Sequence, residues 1–139
     1  MSAPGPVLAL DVGTRTIGIA VTDPGRRFVF PVSTLARRSV VRDVAALGRL
    51  CVERAVTFLV VGVAIDDDGN EGRSARLARQ VGEALAGATG LPVEWVDEGY
   101  TTVEAHTRLH AAGVRAADRK PMVDQEAAVV ILELWLARG

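Results

Sequence analysis

The stretch "VLALDVGTRTIGIAVTD", Val7 to Asp23, divides into two apolar runs around a short turn. Leu8, Leu10 and Val12 alternate with Val7, Ala9 and Asp11. After Gly13 to Thr16 the pattern resumes, with Ile17, Ile19 and Val21 set against Gly18, Ala20 and Thr22. A period of two on both sides of a tight turn predicts a β-hairpin. One carboxylate, Asp11, stands inside the first run. An ionised group there is costly unless it meets a cation, a phosphate-bound metal or a set of hydrogen-bond donors.

The elements that follow decide what surrounds this hairpin. "RRFVFPVSTL" places Pro31 inside a third strand pattern, and a residue without an N–H is tolerated mainly at a sheet edge. Ser39 can cap a helix with Val40, Val44, Leu47 and Cys51 on one face, fading near Ala55. "TFLVVGV", Thr57 to Val63, reads as a strand buried on both faces. After the loop "AIDDDGNEG" a helix is expected from about Gly72 to Ala88, turning Leu77, Val81 and Leu85 inward, and "LPVEWVDE" is a fifth strand. Thr101 and Glu104 have the capping-box spacing for a helix to about Ala112. Pro121 suits the first turn of a last helix that carries Ala127, Ala128, Ile131 and Trp135 on one face and ends near Gly139. The order β-β-β-α-β-α-β-α-α implies an α/β protein with a mixed sheet and helices on both faces.

Composition agrees. The 139 residues fit one domain, 1–139, able to bury roughly 70 % of its unfolded surface. Apolar residues make up 49 % and aromatics only 4 %, which suits aliphatic helices lying on a sheet. Cys51 is the lone cysteine, so an internal disulfide and a four-thiolate zinc site are excluded, and its helical spacing makes it a packed thiol. "MSAPGPV" lacks the basic and apolar regions of a signal peptide, and the longest apolar stretch, Leu59 to Ile65, is too short to span a bilayer. A cytoplasmic protein with no membrane association is expected. The net charge of −1, from 16 basic and 17 acidic residues, does not announce nucleic acid, but fifteen of the cations are Arg, whose planar fork suits phosphate.

In such a sheet, sites collect at the carboxyl ends of strands. Three carboxylates lie there: Asp11 before its turn, Glu98 closing the fifth strand, and Asp124 early in the last helix. Ala128, Ile131 and Trp135 follow Asp124 at spacings of four, seven and eleven, which turns that carboxylate toward the sheet. Singly, each has an ordinary reading as turn acceptor, surface charge or helix cap. Together they would repel one another unless a divalent cation neutralised them, and an all-oxygen set suits Mg²⁺ or Mn²⁺. Two such ions about 4 Å apart serve in-line displacement at a phosphodiester, one activating water and the other stabilising the leaving oxygen. Strand alternation leaves open whether Asp97 or Glu98 is the second ligand.

"LALDVGTRTIGIAVTD", "VVGVAIDDDGNEG", "VEWVDEGYTTVEA" and "KPMVDQEAAVVILE" resemble the successive signatures of the YqgF/RuvX family of Holliday-junction resolvases, which are RNase H-like nucleases. The resemblance runs from Val7 to Leu136. It implies an RNase H-like fold with strand order 3-2-1-4-5 and metal-dependent phosphodiester hydrolysis. By the same resemblance Asp11 would bridge the metals, Glu98 would be the Glu of the family's Asp-Glu-Arg motif, and Asp124 the acid of the last helix. The implied substrates are branched DNA or the 5′ end of precursor 16S ribosomal RNA, the latter linking the chain to ribosomal particles. Two departures stand out: Gly99 replaces the family's Arg, and Gly62-Val63-Ala64 replaces its Gly-Leu-Pro.

Other residues invite other readings. Asp-x-Gly-Thr in a hairpin also resembles the phosphate-binding hairpin of the actin and hexokinase superfamily, but those proteins clamp ATP between two such domains. Gly13 and Gly18 have phosphate-loop spacing without its Lys and Ser or Thr. "DDDGNEG" is similar to a calcium loop except that Glu71 takes the place of the turning Gly, so a surface turn is expected. His106 and His110 lack partners for a zinc tetrahedron. Arg15 on the hairpin turn, Arg73 at the start of a helix together with Arg76 and Arg79, and Arg119 and Lys120 beside Arg115 and before Asp124 are candidate phosphate contacts. Tyr100 is the one aromatic near the site, which favours recognition of backbone and shape. Gly99 leaves room for a non-catalytic nucleic-acid-binding module. Either a monomer or a homodimer is compatible, since symmetric cutting of a junction needs two sites.

Overall fold

The computed structural model describes residues 3–66, 68–98, 111 and 116–138, with side chains of the last helix from Asp124 onward. The hairpin is β1 (Val7–Val12) and β2 (Thr16–Thr22), antiparallel, with Asp11 opposite Gly18. The third strand, β3 (Val29–Ala36), pairs only with β2 and is the edge that Pro31 predicts. Around this proline the register shifts: Ile19 faces Ser33 while Ala20 faces Pro31, so Val32 is an extra residue on the edge.

Ser39 opens α1 (Val40–Glu53), its hydroxyl accepting from the Arg42 amide at 3.1 Å. The chain then enters β4 (Phe58–Val63) parallel to β1, α2 (Arg73–Thr89) and β5 (Val93–Asp97) parallel to β4. The sheet order is β3-β2-β1-β4-β5, as the resemblance implies. The last helix, α3, spans Ala116–Ala137. It begins earlier than expected. Ala116 to Lys120 are good helix formers and carry the helix upstream of Pro121, which sits at its sixth position instead of the first turn and forgoes one i→i−4 hydrogen bond. Ala111 is helical; the remainder of the helix expected from Thr101 to Ala112, with His106 and His110, lies outside the described residues, as do Gly99, Tyr100 and Arg115.

Strand alternation sorts the core into two halves. Leu8, Leu10, Val12, Ile17, Ile19, Val21, Leu59 and Val61 meet Leu47 and Cys51 of α1 and Val81 and Leu85 of α2. Val7, Ala9, Ala20, Val60 and Val96 meet Ala128, Ile131 and Leu132 of α3 on the other face. Among the described residues no helix is long and apolar enough to cross a membrane.

Candidate active site

Asp11 belongs to the α3 face, continuing the series Val7, Ala9, Asp11 along β1. The same parity carries β4 through Val60 to Gly62 and β5 through Val96 to Glu98, while β2 contributes Thr16 and Gly18. All five therefore share one end of one face, and α3 crosses it. Glu98 is held there by its amide, which donates to the Val63 carbonyl at 3.1 Å.

The structure pairs Asp11 with Glu98 by a hydrogen bond and puts Asp124 near enough for its charge to act on Asp11. Burial pushes the Asp11 carboxyl well above its ordinary range, and its hydrogen bond with Glu98 and the charges of Glu98 and Asp124 push it the same way. Glu98 also has an oxygen, Oε2, that is buried without a hydrogen-bond partner. Asp124 is anchored differently, its Oδ2 accepting a hydrogen bond from the Thr16 hydroxyl across the gap between β2 and α3. Asp97 is exposed on the opposite side of its strand, so Glu98 is the acid that meets Asp11. Among the described residues no three His, Cys, Asp or Glu side chains form a ready ligand cage: Asp11 pairs with Glu98, and Asp124 with Thr16.

Two glycines, Gly18 and Gly62, make this approach possible, a packing role that neither the phosphate-loop spacing of Gly18 nor the family departure at Gly62 suggests. A Cβ on Gly18 would collide with the Asp124 carbonyl, so α3 approaches the sheet there at backbone contact. A Cβ on Gly62 would strike Ile131 and lie 2.8 Å from Glu98 Oε2. The available signal was compositional: the nearest neighbours of Asp11 on its face of the hairpin include the small residues Ala9, Gly18 and Ala20, leaving room for a close helix. Thr16 was likewise visible only as a turn residue.

The predicted cations fare unevenly. Arg15 is exposed on the hairpin turn and Arg73 is the exposed first residue of α2. Arg79 is spoken for, its guanidinium making two 2.6 Å hydrogen bonds to Glu71 and lying 4.9 Å over Trp95. Arg119 and Lys120 fall in the first turns of α3, with side chains outside the described set. The acidic loop is the expected surface turn, Asp66 Oδ1 accepting from the amides of Asp68 and Asn70. An apolar cleft of about 650 Å³ between α1 and α2 is remote from the carboxylates; it includes Cys51, whose thiol burial pushes up to about 11.

A mixed five-stranded sheet in the order 3-2-1-4-5, with acids at the carboxyl ends of β1 and β5 and on a crossing helix, defines an RNase H-like protein. Solved structures agree on the fold: RuvC of T. thermophilus in complex with a Holliday junction substrate superposes with a TM-score of 0.63 at 15 % identity, covering 96 % of this chain and 95 % of that one. The chain belongs to the RuvX family, described as Holliday junction resolvase, whose model matches residues 5–138. It is 45 % identical over 131 residues to a protein of Anaeromyxobacter dehalogenans (strain 2CP-C) named "Putative pre-16S rRNA nuclease", across 94 % of this chain and 96 % of that one. A protein of the same name from Mycobacterium leprae (strain Br4923) is 43 % identical over 130 residues, with 93 % and 71 % covered.

Proposed function

We propose that residues 1–139 act as one nuclease domain that hydrolyses phosphodiester bonds of structured nucleic acid with Mg²⁺ or Mn²⁺, held as two ions by Asp11, Glu98 and Asp124. The observation that carries this reading is the buried Asp11–Glu98 pair, with an unpartnered Glu98 oxygen and the charge of Asp124 acting on it, at the end of an otherwise apolar face. Such a set is unfavourable by itself and favourable around a hard cation, and its donors are all oxygen. When bound, such ions neutralise the acids and polarise the scissile phosphate.

The remaining residues of the chain orient the site. Thr16 holds one oxygen of Asp124 and leaves the other available to an ion. Gly18 and Gly62 let α3 deliver Asp124 and admit Glu98. Arg15 and Arg73, with Arg119 and Lys120, would contact phosphates flanking the cut. The names of the curated relatives favour precursor 16S ribosomal RNA over branched DNA as the substrate, and the proposal extends this to its 5′ end, on ribosomal particles in the cytoplasm. A homodimer is required only if the substrate is a junction cut symmetrically.

The test offers purified protein a 5′-extended 16S precursor and a four-way DNA junction, with Mg²⁺, Mn²⁺ or EDTA. Cleavage of either polymer that needs the ion and disappears in Asp11→Asn is the expected result. Binding without turnover in any divalent ion would replace the enzyme by a nucleic-acid-binding module.

A further inference from the structure

On the far side of the hairpin turn from Asp124, the end of β3 and the first turns of α1 enclose a cleft of about 270 Å³. Arg38, Arg42 and Arg49 line it over a floor of Leu35, Ala45 and Ala46, and its one carboxylate is Asp43. That acid is already neutralised: Asp43 is buried, accepts from Arg37 Nε at 3.1 Å and from the Arg38 amide at 3.1 Å. No side-chain hydrogen bond or ion pair to another described residue engages the guanidinium of Arg38, Arg42 or Arg49, and all three residues are exposed. Glu53, one turn beyond Arg49, makes no ion pair with it. Three uncompensated cations therefore share one cleft in a chain whose overall charge is −1.

The cleft is tied to the catalytic end of the sheet. Arg37, the residue that neutralises Asp43, donates from Nη1 to the Gly13 carbonyl at 3.2 Å, and its amide donates to the Arg15 carbonyl at 2.8 Å. Gly13 and Arg15 form the turn between Asp11 and Thr16. A run of hydrogen bonds thus joins the turn beside Asp11 to Asp43 and the Arg38 amide at the edge of the cleft. Arg42 and Arg49 are seven residues apart on α1, about 10 Å along the axis, which is about the rise of three nucleotides on one strand. The floor is aliphatic and offers neither an aromatic face nor a side-chain acceptor for a base edge, so backbone phosphate is the chemistry it recognises.

Resting on the nuclease reading above, we infer that the Arg38–Arg42–Arg49 cleft is an auxiliary phosphate-backbone site that seats the substrate strand away from the cut. The test measures fluorescence anisotropy in EDTA of a labelled four-way DNA junction and of an RNA duplex with a 5′ single-stranded tail, over a series of salt concentrations. Arg42→Ala/Arg49→Ala should weaken binding to one polymer or both by about tenfold near 0.1 M salt and flatten the plot of log affinity against log salt by about 1.5, the loss of two phosphate contacts. Arg42→Lys/Arg49→Lys should keep the wild-type slope, which a merely structural role would not require. The polymer that loses affinity identifies the strand the cleft seats. Wild-type binding with an unchanged slope in the alanine variant overturns the cleft alone. Failure of the wild type to bind either polymer in EDTA and again in Ca²⁺ overturns the nuclease reading, and the cleft with it.

Discussion

The two faces of this sheet are made from alternate residues of the same strands, yet they are built to different ends. Toward α1 and α2 the strands present Leu8, Leu10, Val12, Ile17, Ile19, Val21, Leu59 and Val61, an unbroken aliphatic surface. Toward α3 the pattern starts in the same way, with Val7, Phe58 and Val60 under Ile131, Leu132 and Trp135, and then changes at the carboxyl ends of the strands. There the inward positions read Asp11, Gly18, Gly62 and Glu98. One face maximises buried apolar area; the other gives up part of that area to hold like charges close together, a trade characteristic of sites that need strain or charge to work.

The largest test of this contrast is Asp11→Asn. Beyond losing cleavage by on the order of 10³-fold or more, this variant should be more stable than the parent without divalent ions. The sign follows from the raised carboxyl: a folded-state pKa above the unfolded value adds stability at low pH and removes it as pH rises through the folded value. At pH 8 in EDTA the neutral amide escapes that penalty, and each kcal/mol relieved should raise the melting temperature by about 4 °C. Through this group the parent should also lose stability progressively as pH rises from about 4, the unfolded carboxylate value, to the raised folded value, a dependence that the variant lacks. A variant that melts lower at pH 8 would mean that Asp11 is a structural acid and that the two faces do not differ in purpose.

Leu85→Ala is the reciprocal change. Leu85 is fully buried under α2 on the aliphatic face, and its truncation should cost about 3 kcal/mol by urea denaturation. Cleavage per folded molecule should remain within about twofold, because none of the lost contacts reaches the carboxylates.

Glycines sharpen the comparison at smaller scale. Gly62→Ala places a methyl against Ile131 and Glu98 and should cost about 1–3 kcal/mol, with an accompanying loss of cleavage because Glu98 must move. Gly48→Ala, on α1, meets nothing and should gain about 0.5–1 kcal/mol from helix propensity. Equal effects of the two substitutions would erase the asymmetry.

Much of this asymmetry was legible in the sequence. Alternation in the hairpin, the proline in β3 and the apolar spacing of the helices give the strand order's edge and the inward face of Asp124 directly. Other features depend on distances that periodicity does not encode. The choice of Glu98 over Asp97 needs the parity of β5 fixed by Val96 beneath α3. Gly18 and Gly62 look like weak strand residues until the helix is seen to touch them. Pro121 suggested a helix start because its ring suits a first turn, but Ala116 to Lys120 extend the helix past that preference. The pairing of Arg37 with Asp43 joins residues from the end of one element and the start of the next, where no repeat pattern applies.

Thr16 sets the smallest expected effect and the finest distinction between the faces. Its partner on β3 is Ala36, and its hydroxyl donates to Asp124 Oδ2, so among the described residues it is the one uncharged side chain seen to hold a proposed ligand in place. Thr16→Val keeps the β-branched shape and removes only the donor. The expected loss of stability is about 1 kcal/mol, the ordinary net worth of one hydrogen bond. Asp124 would then be free to swing, so the concentration of Mg²⁺ or Mn²⁺ giving half-maximal cleavage should rise by about threefold to tenfold while the rate at saturating ion changes little, in line with the effect of groups that orient a metal ligand without touching the metal. Thr16→Ser restores the donor and should restore the ion requirement. A rise in neither variant, or the same rise in both, would show that the hydroxyl stabilises the junction of β2 and α3 without orienting the acid, and the polar end of the α3 face would then consist of its three carboxylates alone.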